Sequence, residues 1–204
     1  MRIRAGLFLV LVAVFSSSAG AAPADAPIPT RFLGKCDIAF LVTSTLHDIS
    51  GSARCQPFPV RIARDPSGKE VIPVVEVEVP VAAMDTRNKS RDGQMREMFR
   101  SDRFPRIRGE ARDVDVERIR VEIGKVRGGN VSIDLLLRIR DVERKVRATA
   151  SNLRESGERV TFDLEFPVSL GEFGLKAPSV LGIIRVGDKV SVKATFTLTV
   201  SRSP

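Results

Sequence analysis

The chain has 204 residues, one domain by length, with 33 Lys and Arg against 25 Asp and Glu and a net charge of +8. One His and two Cys cannot make a standard zinc set from soft ligands alone, and no glycine-rich phosphate loop of the Walker or dinucleotide type occurs. The basic excess is spread out and neither Trp nor Tyr is present; this argues against nucleic acid and for a solvated basic surface, with loose attraction to an anionic membrane surface as the sharper reading.

Arg2 and Arg4 precede an apolar run over residues 5–15, and small residues follow through Ala22. That tripartite pattern predicts a secretory signal peptide over residues 1–22, cleaved after Ala21 or Ala22. The run is shorter than the roughly 20 apolar residues of a membrane span. Residues 23–33 open with Pro and Ala and are expected to be a flexible leader. Residues 34–204 are then the folded domain of an exported chain, periplasmic in the first reading and secreted in the second.

From Cys36 onward the hydropathy period is two. Ile38, Phe40 and Val42 alternate with Ala39, Leu41 and Thr43, and a less regular strand is expected over residues 51–62. An isolated cysteine pair in an exported chain is usually a disulfide, here Cys36 with Cys55. A turn centred on His47 and Asp48 opposes this. It sets Cys36 against residues near Pro59, an offset beyond disulfide reach unless a bulge or longer loop shifts the register. His47 reads as a turn residue. A Ser-His-Asp site would have to use it, and the adjacent Asp48 cannot orient its ring from behind. No catalytic residue is assigned, and nothing argues for an enzyme.

Val75, Val77, Val79 and Val81 make the next strand, after the turn signal Asp65-Pro66-Ser67-Gly68. The period then breaks. Asn88 or Ser90 is placed to cap a short helix, and Met95, Met98 and Phe99 fall at i, i+3 and i+4 on one face. A strand over residues 106–116 follows, with Asp113, Asp115 and Glu117 expected on one solvated face. Further apolar sets are Val131 to Ile139, a strand over residues 142–150, Val160 to Val168, and Val190 to Val200, separated by Gly128-Gly129-Asn130, residues 155–158 and Gly187-Asp188.

These runs amount to about eight strands, and closing them into an antiparallel barrel removes the sheet edges. An outer-membrane barrel would need aromatic girdles of Tyr and Trp, which are missing, so the apolar faces point inward. An eight-stranded bore is either filled by its own side chains or holds one slim ligand. Both readings stay open on the residues alone. The inward candidates are Phe40, Val42, Leu135, Leu137, Phe162, Leu164 and Phe166, with Met95, Met98 and Phe99 as either a lid over the mouth or a plug completing the core.

Asp85-Thr86 after a valine strand, Arg91-Asp92, a short helix, Phe99, and Phe104-Pro105 leading into a strand together resemble the YceI-like family. So do "LVTSTLHDISGSA", "LLLRIRDVERKV" and "FPVSLGEFGLKAPSVLGIIRVGDKVSV", over roughly residues 36–200. Gln94-Met95 stands where the family often has His-Leu, and Leu170 where it often has Arg. The resemblance implies an all-β fold, an eight-stranded antiparallel lipocalin-like barrel with one short helix inserted between strands. It also implies periplasmic binding, storage or transport of an apolar chain, a polyisoprenoid lipid or isoprenoid quinone, with no catalytic cofactor. The competing reading is a ligand-free envelope barrel that acts through protein partners. Monomer and homodimer both remain open.

Overall fold

The computed structural model describes residues 30–45, 47–124, 128–177 and 186–201. The expected signal peptide and residues 23–29 of the leader lie outside the described residues. Among these residues nine strands are present: β1 (Thr30–Ser44), β2 (Ile49–Arg54), β3 (Phe58–Arg64), β4 (Glu70–Pro80), β5 (Arg106–Asp115), β6 (Asn130–Ile139), β7 (Val142–Ser156), β8 (Arg159–Ser169) and β9 (Val186–Val200). Two helices accompany them, α1 (Lys89–Phe99) and α2 (Val116–Gly124). Strand β1 begins at Thr30, so residues 30–33 belong to the sheet and not to the leader.

All pairings are antiparallel, in the order β2-β1-β3-β4-β5-β6-β7-β8-β9, and β1 pairs with β9 to close the sheet on itself. Strands β2 and β3 lie end to end beside β1: Asp37 to Val42 pair with β2, and Thr30 to Gly34 pair with β3. They act as one interrupted stave, which leaves eight positions around the barrel. The interruption falls at Cys55, Gln56 and Pro57. Proline has no N–H to donate, so Pro57 and Pro59 weaken the ladder on this stretch.

The β1–β2 register pairs Asp37 with Arg54 and Val42 with Ile49, which places the turn ahead of His47. The offset expected from a turn on His47 and Asp48 therefore disappears. Cys36 and Cys55 lie side by side, with Cα atoms 5.4 Å apart, and are bonded to each other.

Two local devices bend the wall. Pro73 on β4 and Asp113 on β5 are skipped between the pairs Ile72–Val114 and Val74–Arg112, and Asp113 has φ 50°. Across that step the inward parity changes, from Val75 and Ala111 to Ile72 and Val114. A register shift between Ser151 and Arg154, with Asn152 at φ 55°, does the same on β7, so the inward set passes from Val146, Ala148 and Ala150 to Leu153 and Glu155. A two-residue turn with Arg140 at φ 58° joins β6 to β7.

Helix α1 starts where the Asn88 side chain accepts from the Arg91 amide at 3.1 Å. It ends at left-handed Arg100, beyond which the Ser101 amide donates to the Arg96 carbonyl at 3.0 Å. Helix α2 is a correction to the sequence reading, which ran the strand on through Val116 and put Glu117 on its face. Asp115 instead accepts from the Arg118 amide at 2.8 Å and caps a helix that presents Val116, Ile119 and Ile123 to the barrel interior. The two helices occupy opposite ends. Around α1, Met95 and Phe99 pack with Val81, Leu137, Ile139, Val168 and Phe173; around α2, Ile123 belongs to the cluster of Phe32, Phe58, Val131 and Leu198.

Candidate functional site: an apolar cavity through the barrel

Inward residues alternate along the staves, as a period of two requires, except at the steps on β4, β5 and β7, and most are Val, Ile, Leu or Phe. Several are small. Ala53, Gly109, Ala111, Ala150 and Ala194 all face the bore, and the space their side chains do not fill is continuous. The result is a cavity of about 640 Å³, reaching from Met98 and Gln94 on α1 to Ile119 and Ile123 on α2. That volume lies within the range of about 300–1,000 Å³ that holds one small molecule or slim chain.

All ten residues singled out from the sequence line this cavity. Val42, Met95, Phe99, Leu135, Leu137 and Leu164 are buried, while Phe40, Met98, Phe162 and Phe166 are half-buried. Phe40 lies across Gly51 of β2, where an added Cβ would overlap its ring. Glycine there lets the ring fold over the neighbouring strand. Phe162 stacks on Phe196 with centroids 4.9 Å apart, and Phe58 meets Phe196 edge-on at 6.1 Å. These three rings narrow the half of the bore nearer α2.

Met95 and Phe99 are packed against strand ends and against Phe173, which is 1 % exposed on the short turn Gly171–Phe173. That turn is held by Asp188, whose carboxylate accepts from the Ser169 hydroxyl and from the Gly171 amide at 2.6 Å. Those two bonds hold the carboxyl below its usual range. Gly187 and Asp188, expected as a turn, lie in the first residues of β9.

The polar lining is confined. Beside α1 it consists of Ser44, His47, Thr86, Asn88, Ser90, Arg91 and Gln94. Beside α2, Arg120 and Glu155 pair at 2.8 Å, and a second arm of Arg120 reaches Glu70 at 2.8 Å. This triad ties α2 to β4 and β7 across the floor of the bore. Midway, Glu110 pairs with Arg112. Among the described residues no three His, Cys, Asp or Glu side chains gather as a metal-binding group.

Sequence reasoning missed His47 as a lining residue and missed the floor made by Ile119, Arg120 and Ile123. The i, i+3, i+7 spacing of Val116, Ile119 and Ile123 after Asp115 was the available signal for the floor. It was masked because Val114, Val116 and Glu117 also continue a plausible strand.

A closed antiparallel barrel with a helix at each end and an apolar bore defines a lipocalin-like container. The chain belongs to the YceI-like family: the YceI-like domain model matches residues 35–198. Three solved structures share the architecture. A polyisoprenoid binding domain from Saccharophagus degradans, implicated in plant cell wall breakdown, superposes with a TM-score of 0.59 at 14% identity, over 85% of this chain and 100% of that one. BcnA of Burkholderia cenocepacia gives 0.57 at 15% identity, over 79% and 95%. The YCEI protein of Campylobacter jejuni gives 0.53 at 14% identity, over 78% and 88%. At these identities the likeness is one of fold. No curated protein sequence matches the chain.

Proposed function

We propose that this protein is an exported carrier or reservoir that holds one apolar chain, a polyisoprenoid lipid or isoprenoid quinone, along the bore of its barrel, without catalysing a reaction on it. The observation that carries the reading is the continuous 640 Å³ cavity kept open by small inward residues. A dry core would fill that space, because interiors pack as densely as organic crystals. Membership of the YceI-like family supports the same reading, as does the likeness to a domain described as polyisoprenoid binding. The basic, apolar and small-residue segments of residues 1–22 support export to the periplasm. The net positive charge suits transient contact with an anionic membrane surface during loading.

Native mass spectrometry of the protein purified from its own envelope tests this. A retained lipid mass is expected, on a chain whose N-terminus follows Ala21 or Ala22. A clean apo mass that no added prenyl chain shifts would instead favour a barrel acting through protein partners.

A further inference from the structure

The charged residues that line the cavity differ in one respect. Glu110 is paired with Arg112, and Arg120 is paired with both Glu70 and Glu155. Arg91, the remaining one, has no ion pair among the described residues, and its Nε is buried without a hydrogen-bond partner. The neighbouring carboxylate does not supply one. Asp92 Oδ1 is taken by the Thr86 amide and hydroxyl at 2.9 and 2.6 Å, and Arg91 acts on Asp92 only as a nearby charge. Among the described residues the other orphaned guanidinium nitrogen belongs to Arg140, which does not line the cavity and lies over the Phe104 ring at 5.9 Å.

A desolvated guanidinium donor without an acceptor is costly, and its planar fork matches an oxyanion better than any neutral group. Around it the α1 end carries Asn88, Ser90, Gln94 and His47, and among the described residues no carboxylate lines the cavity at this end. The opposite end is floored by the paired α2 triad, and the wall between is apolar apart from paired Glu110. Among the described residues, the α1 end therefore offers the unpaired polar lining that a chain with one polar terminus needs.

We propose that Arg91 binds an oxyanion on the head of the bound chain, so that the ligand class is an apolar chain ending in a phosphate or carboxylate. The assignment rests on the carrier reading above and adds orientation to it: headgroup at α1, tail toward α2.

The test titrates the mature protein with geranylgeranyl monophosphate, with geranylgeraniol, and with inorganic phosphate. The prenyl phosphate is expected to bind about tenfold or more tightly than the alcohol, as one charge-assisted contact allows, and inorganic phosphate is expected not to compete. In Arg91→Gln the two prenyl ligands should bind alike. Should that variant not fold, Arg91→Lys keeps the charge but loses the fork, and the preference should shrink.

Equal binding of alcohol and phosphate to the native protein overturns the headgroup assignment while leaving the carrier reading intact. A preference that survives unchanged in the Arg91 variants also overturns it. Inorganic phosphate binding as tightly as the prenyl phosphate overturns the lipid as the source of the oxyanion. Failure of both prenyl ligands to bind overturns the carrier reading itself.

Discussion

Thr86 and Asp92 meet across the turn that leads into α1: the Thr86 amide and hydroxyl both donate to Asp92 Oδ1. Both residues are buried. The turn is also joined to the barrel wall, since Ser52 and Asp85 exchange backbone hydrogen bonds at 2.8 Å. Helix α1 is thus fastened to the turn before it by one carboxylate. The Thr86 hydroxyl, then the Thr86 amide, hold that carboxyl below its ordinary value of 3.8. A depressed folded-state pKa contributes stability above the unfolded value and loses it as pH falls through the folded one. Asp92→Asn should therefore cost about 1–3 kcal/mol at neutral pH. The gap between native and variant proteins should narrow as pH drops below 3.8. Chemical denaturation of both proteins across that range measures it.

Met98 and Phe99 are adjacent on α1 yet differ in burial. Phe99 is 5 % exposed and packed in the cluster with Val81 and Phe173, whereas Met98 is half-buried on the cavity side. Met98→Ala is expected to lose less than the roughly 2–5 kcal/mol of a buried methionine truncation and to speed release of a fluorescent isoprenoid severalfold. Phe99→Ala should cost about 3–5 kcal/mol. Thermal melts and release kinetics on the pair distinguish a lid contact from a plug. A large stability loss in Met98→Ala with unchanged release would assign both residues to the plug.

Leu137 faces the bore toward the α1 end of β6, and Phe162 and Phe196 already narrow the half nearer α2. Leu137→Phe adds a ring where the path is still open. The folded variant should take up shorter prenyl chains but not a full-length polyprenyl chain. Competition binding with chains of graded length reads the cutoff, and no change in cutoff would place the ligand elsewhere.

The Cys36–Cys55 bond bridges β1 and the point where the second stave is interrupted. Replacing both cysteines by serine should lower stability by about 2–4 kcal/mol, the usual worth of a native bridge. Alkylation of the denatured, unreduced protein should label neither thiol. Labelling of both would show the bridge absent in the protein as isolated.

Much of this architecture was legible in the residues themselves. Strand alternation follows from local geometry, because successive side chains must point to opposite faces. The inward set from Phe40 to Phe166, and the apolar face of Met95, Met98 and Phe99, could therefore be named before any fold was known. The helix cap was equally local, although only the structure chose Asn88 over Ser90.

Other features depended on residues far apart in the chain. The pairing of Cys36 with Cys55 turned on a register set by the whole β1–β2 ladder, which a guessed turn centre could not supply. The parity changes at Pro73, Asp113 and Asn152 appear only when each strand is seen against its neighbour. Helix α2 won over a continued strand because Val116, Ile119 and Ile123 find an open barrel end to cover. Whether the bore was full or hollow was the least local question of all. It compares the summed volume of side chains from every stave with the radius that closure imposes. Alanines on β5, β7 and β9 add up to a cavity only once the barrel brings them together.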